Sequence, residues 1–83
     1  MSRQGRRPGR FERAIWHTFD RRCWLCGRVI LGRDLTLDHV LPKSLGGSRS
    51  VRNLYPAHRA CNERRGNLTG AGLQSLVATL RAT

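Results

Sequence analysis

Long apolar runs are missing from this 83-residue chain. None approaches the roughly 18 residues that a membrane span needs, which excludes a transmembrane helix. Aromatic residues are scarce too: two Trp, two Phe and one Tyr leave little bulk for a core. A chain of this length builds a core worth only about 3–5 kcal/mol, so a staple such as a bound metal is expected. Acidic residues number five against sixteen cations, a formal charge of +11. Lysine is nearly absent, with Lys43 alone beside fifteen arginines. Three cysteines are an odd number, which excludes a complete intramolecular disulfide framework. The amino-terminal MSRQGRRPGR carries charge with no apolar stretch behind it, so a secretory signal is not expected. The length allows a single domain, and no internal repeat divides it.

What is abundant is arginine. Guanidinium forks match phosphate geometry, and excess positive charge gathers nucleic acid by counterion release. A membrane surface fits less well, because no arginine-rich segment also presents a broad apolar face. A genome that favours arginine codons would raise the same count. Charge alone therefore names a polyanion partner and no reaction.

Residues 1–9 hold three Arg, two Gly and a Pro, and read as a flexible basic arm. Residues 10–83 read as the single domain. Phe11, Ile15 and Phe19 recur at i, i+4 and i+8, which predicts a helix from Arg10 to about Asp20. His17 lies off that stripe and reads as a solvated surface histidine. The alternating, β-prone stretch Leu35 to Leu41, closed by Pro42, predicts a strand or half of a hairpin. Ser44 to Ser50, with Gly46-Gly47 and three serines, is a loop. A short apolar segment, Leu54-Tyr55, precedes a short helix from His58 to Arg65, ended by Gly66-Asn67. Leu73, Leu76, Val77 and Leu80 share one face of a closing helix at about 71–82.

Cys23-Trp24-Leu25-Cys26 has the paired spacing of a zinc knuckle or of a redox motif. A redox motif needs a helix starting at the cysteines within a βαβ unit, whereas Gly27 suits the tight turn of a knuckle. Structural zinc takes four Cys or His ligands in a tetrahedron. Cys61, with His58 three residues before it, completes a CxxC…HxxC set: Cys23, Cys26, His58 and Cys61. Zinc would supply folding energy on the order of 10 kcal/mol, the staple that a thin core lacks. If these ligand roles are wrong, the thiols are small core residues and His58 is incidental.

Between the two halves of that set lie DHVLPKSLGG from Asp38, then Arg52-Asn53-Leu54, then HRACNERRGN from His58. In this ordered pattern the chain resembles the HNH endonuclease family over roughly Cys23 to Asn67. The resemblance implies a small α+β domain of ββα-metal type, in which a β-hairpin and a short helix hold a catalytic ion. It implies a metal-dependent nuclease acting on double-stranded DNA, leaving 5′-phosphate and 3′-hydroxyl ends. His39 would be the general base, as an imidazole titrates near physiological pH. Asp38 would be an oxygen ligand of Mg²⁺ or Mn²⁺. Asn62 stands where the name-giving pattern has His, so the chain is similar to the H-N-N variant found in CRISPR effector nucleases. Its amide oxygen would be the second ligand of that ion. Asn53 would orient His39 across the loop. Arg65, with Arg64 beside it, would grip the scissile or a flanking phosphate. Lys43, Arg49, Arg52 and Arg59 would line the DNA groove.

Two rival readings use the same residues. One is a non-catalytic, zinc-dependent nucleic-acid-binding module. The other is a subunit that cuts only with a protein partner, such as a phage packaging terminase or a restriction complex. The expected location is the cytoplasm, either nucleoid-associated or phage-encoded in a host cell. Nothing in the chain resembles a base-reading element, so non-specific nicking is the default expectation.

Overall fold

The computed structural model describes residues 7–82. Residues 1–6, the greater part of the expected basic arm, lie outside the described residues. Five elements follow in order: α1 (Arg10–Thr18), β1 (Leu35–His39), β2 (Leu54–His58), α2 (Arg59–Arg65) and α3 (Gly70–Arg81). β1 and β2 pair antiparallel, with Leu35 opposite His58 and His39 opposite Leu54. Helix α2 follows β2 without a break, so hairpin and helix form the ββα-metal arrangement. No described helix is long and apolar enough to cross a membrane.

Helix α1 starts where the Glu12 side chain accepts the Gly9 N–H, which satisfies one orphan donor of the first turn. Its apolar stripe is used unevenly. Ile15 is buried and Phe19 packs on Tyr55, with ring centroids 4.7 Å apart, but Phe11 stays 50% exposed. The stripe therefore overruns the core by one turn at its amino-terminal end. His17 is exposed, in agreement with the surface role read from its position.

The segment from Arg22 to Val29 folds into a knuckle. Arg22 bridges Val29, the Cys23 N–H donates to the Arg28 carbonyl (2.8 Å), and Gly27 closes the turn at φ +83°. Few L-residues tolerate that φ.

β1 stops at His39, two residues short of the predicted Leu41, and the cause lies across the loop. Asn53 caps the strand end with its side-chain amide. Its Oδ1 accepts the Leu41 N–H (2.7 Å) and its Nδ2 donates to the Leu41 and Ser48 carbonyls (3.1 and 2.9 Å). One side chain thus substitutes for a further residue of ladder, and Pro42 ends the segment. Gly47 sits against this turn so closely that a Cβ there would lie 1.7 Å from the Leu41 carbonyl oxygen.

β2 extends through Pro56, which has no N–H to give a ladder. The proline is tolerated because the sheet has only two strands, and its carbonyl accepts the Trp24 N–H at 3.0 Å. That bond ties the knuckle to the free edge of the hairpin. The α2 helix ends at Gly66, at φ +53°, where the sequence predicts its end.

The core is one cluster of Cys23, Leu25, Cys26, Ile30, Leu35, Ala57 and Leu80. Trp16, Trp24, Leu73, Leu76 and Val77 pack against it, so the predicted stripe of the closing helix faces inward. Arg81, at the end of α3, donates to the Leu25 and Trp24 carbonyls (3.1 and 3.0 Å) and holds the helix on the knuckle.

Candidate metal centre and catalytic cleft

The ligand atoms of Cys23, Cys26, His58 and Cys61 all lie within 4.8 Å of one another. The knuckle supplies the first two, His58 stands at the end of β2, and Cys61 lies in the first turn of α2. His58 Nδ1 faces the sulfurs of Cys26 (3.3 Å) and Cys61 (3.8 Å), while its Nε2 is 3.1 Å from the Val29 carbonyl. A carbonyl accepts only from N–H. This contact places the ring proton on Nε2 and leaves the Nδ1 lone pair for a metal, the usual outer support of a metal-binding histidine. The Leu25 and Cys26 N–H groups point at Cys23 Sγ (3.4 and 3.5 Å) and fix that sulfur in the knuckle turn.

The thiols are unequal. Burial pushes the Cys61 thiol up to about 12, helped by the neighbouring Cys23 and Cys26. Burial also works to raise Cys26. Hydrogen bonds from the Arg28 backbone and from the Cys23, Cys61 and Arg28 side chains outweigh it, and that thiol ends below its ordinary value. A Cys₃His set with its ligand atoms this close and its histidine oriented fits zinc in size and donor type.

On the far end of the hairpin, Asp38, His39 and Asn62 border one cleft of about 200 Å³, with Lys43, Ser44 and Asn67 around it. Strand neighbours point to opposite faces, yet Asp38 and His39 share this cleft because β1 ends on His39. Asp38 is buried, and both its oxygens accept from Arg65 Nη1 at 3.0 Å. Oδ2 also accepts the Trp24 indole N–H at 3.0 Å. Oδ1 carries one protein bond and keeps lone-pair capacity for a hard cation. Burial raises the Asp38 carboxyl above its ordinary value, against the lowering effects of the Arg65 charge and hydrogen bond, the Trp24 hydrogen bond and the His39 charge. His39 Nε2 is buried with no hydrogen-bond partner among the described residues. A buried polar atom without a partner is costly, and this one belongs to a residue that borders the cleft. Asp38 and Asn62, which border the same cleft, offer oxygen donors of the type that Mg²⁺ or Mn²⁺ takes.

Arg65 requires a correction. Expected on a phosphate, it is 1% exposed and its donors are committed inside the protein. Besides Asp38 it donates to the carbonyls of Leu68 (2.9 Å), His39 (2.7 Å) and Val40 (2.7 Å), and it lies over the Trp24 ring at 5.6 Å. It serves as the internal brace of the cleft. Asn53 spends its side-chain hydrogen bonds on Leu41 and Ser48 and makes none to the His39 side chain. It holds the backbone just beyond it, and its own carbonyl accepts the Val40 N–H at 2.9 Å.

The proposed DNA contacts divide. Lys43 borders the cleft, and Lys43, Arg49 and Arg59 border a second, larger groove of about 530 Å³ that also reaches His39. Arg52 and Arg64 are exposed but border neither. Trp24 is the residue that sequence reasoning missed. The available signal was a rare tryptophan between two zinc ligands, where it can join the knuckle to whatever lies beyond it.

This geometry agrees with comparison to known families. Residues 23–74 match the family model of the HNH endonucleases. That span is more than half the chain, and the protein belongs to this family. No curated protein matches the sequence closely enough to be named as a relative.

Proposed function

We propose that the protein is a metal-dependent endonuclease that hydrolyses phosphodiester bonds in DNA, with His39 as general base. The observation that carries this reading is the unpartnered, buried Nε2 of His39, a residue that borders one cleft with Asp38 and Asn62. A protein that only bound nucleic acid would gain nothing from a buried imidazole nitrogen left without a partner.

His39 takes a proton from water as the water oxygen bonds to phosphorus. The bond to the 3′ oxygen breaks, and that oxygen leaves protonated by solvent, giving 5′-phosphate and 3′-hydroxyl ends. Mg²⁺ or Mn²⁺ held by Asp38 and Asn62 would neutralise charge on the phosphate and on the departing oxygen. Arg65 and Trp24 hold Asp38 in place, Asn53 fixes the turn that follows His39, and Lys43 attracts the phosphate to the cleft mouth. The three free thiols and their zinc-ready arrangement support a reducing, cytoplasmic setting.

Supercoiled plasmid incubated with zinc-loaded protein across a Mg²⁺ and Mn²⁺ series tests the proposal. Relaxed circles are expected with either ion. Equal relaxation without added metal, or none at any concentration, contradicts it. Activity that appears only on adding a partner protein would favour the subunit reading.

A further inference from the structure

We propose that the groove between the amino-terminal end of α1 and β1 binds a single strand of DNA, with an unpaired base stacked on Phe11. The groove runs from Arg7 and Phe11 to His39, with Lys43, Arg49 and Arg59 along it. Its first wall precedes residue 23, where the family match begins, so α1 lies outside the matched nuclease core.

Three observations favour one strand over a duplex. The volume, about 530 Å³, falls within the roughly 300–1,000 Å³ typical of sites for small organic ligands, which is nucleotide scale. Phe11 leaves half its surface in water although it belongs to the apolar stripe of its helix. In a chain with so few aromatics, an open ring beside cations matches the composition of a base-stacking platform. Four cations line the groove against one acid, Glu12, whose carboxylate is held by the Gly9 N–H. His39 borders both this groove and the smaller cleft, so a strand seated here leads its phosphates to the proposed base. The preferred substrate is then DNA with an unpaired stretch beside the cutting point, such as an overhang, a flap or a gap. This preference rests on the nuclease reading, but the groove can be tested apart from it.

The test is fluorescence anisotropy of zinc-loaded protein on labelled single-stranded and duplex oligonucleotides of one sequence, with no Mg²⁺ or Mn²⁺ added. Phe11→Ala is expected to weaken single-strand binding about tenfold or more, and to leave duplex binding within about twofold. Phe11→Trp should keep the single-strand affinity. Arg7→Ala should lower the single-strand salt slope by about 0.7. Single-strand affinity indifferent to Phe11→Ala, or single-strand and duplex affinities weakened alike, overturns the proposal. Plasmid nicking separates the two ideas. Nicking with no Phe11 effect on binding sinks the groove alone, whereas Phe11-dependent binding without nicking sinks the nuclease reading alone.

Discussion

Arg65 shows how one buried side chain can organise a site that it never enters. Its guanidinium ties Asp38 to the carbonyls of His39 and Val40 and to Leu68, so it joins β1 to the end of α2. Removing one partner of a buried pair strands the other, at about 3–5 kcal/mol. That is comparable to the whole apolar core of such a chain. Arg65→Ala should therefore lower the melting temperature by more than about 10 °C, since about 1 kcal/mol moves a domain of this size by 4–8 °C. A shift of a degree or two in a thermal melt would show that the pair carries little. Trp24→Phe is milder: it keeps the ring and removes the N–H to Asp38 Oδ2. About 1–3 kcal/mol of stability should go, and nicking should slow because Asp38 loses a restraint. Unchanged nicking with an unchanged melt would contradict the role given to the indole. In the sequence the motif pointed to Asp38 and His39, which the fold places on one cleft, but Arg65 read as a phosphate contact. A cation next to a catalytic motif looks the same on paper whether it faces water or is buried against a carboxylate.

At the scale of elements, α1, α2 and α3 were legible because periodicity and punctuation agreed. Ile15, Leu80 and their stripe-mates marked faces, and Gly66 marked an end. β2 was less legible, since Pro56 breaks the alternation that would have announced a strand; the strand is held by its pairing with β1 and, at the proline, by the Trp24 N–H on its other edge. The end of β1 was also hidden. The Asn53 amide that replaces the missing ladder lies twelve residues away from Leu41, and no local pattern reports such a contact. The loop between them has a sharp requirement at Gly47, where even a methyl group would overlap the Leu41 carbonyl. Gly47→Ala is expected to displace the turn after His39 and to cut nicking at least tenfold, with the helical circular dichroism signal retained. Wild-type activity in that variant would mean that the turn does not position His39.

For the molecule as a whole, the ligand set read from cysteine and histidine spacing is the one that the fold assembles. Structural zinc in such sites is worth about 10–16 kcal/mol, well above what a small core supplies. Chelation should unfold the protein, seen as loss of the helical signal on adding excess chelator and its return with zinc. Persistence of the fold would contradict the staple role. The pH dependence has a definite sign. Cys61 holds its proton up to about 12 in the metal-free set, and a thiol must lose that proton to bind zinc, so apparent zinc affinity should fall as pH falls. A chromophoric-chelator competition that gave the same affinity at about pH 6 and pH 8 would count against a thiolate-rich site. The charge of +11 gathers phosphate from every side, and the groove and cleft around His39 are where the proposal places the reaction. The most direct measurement is therefore plasmid nicking by His39→Ala beside wild type, with DNA binding measured on the same preparations. A loss of about 10²–10⁴-fold in nicking, with binding retained, is the predicted result for a general base. Nicking at the wild-type rate by His39→Ala would contradict the account.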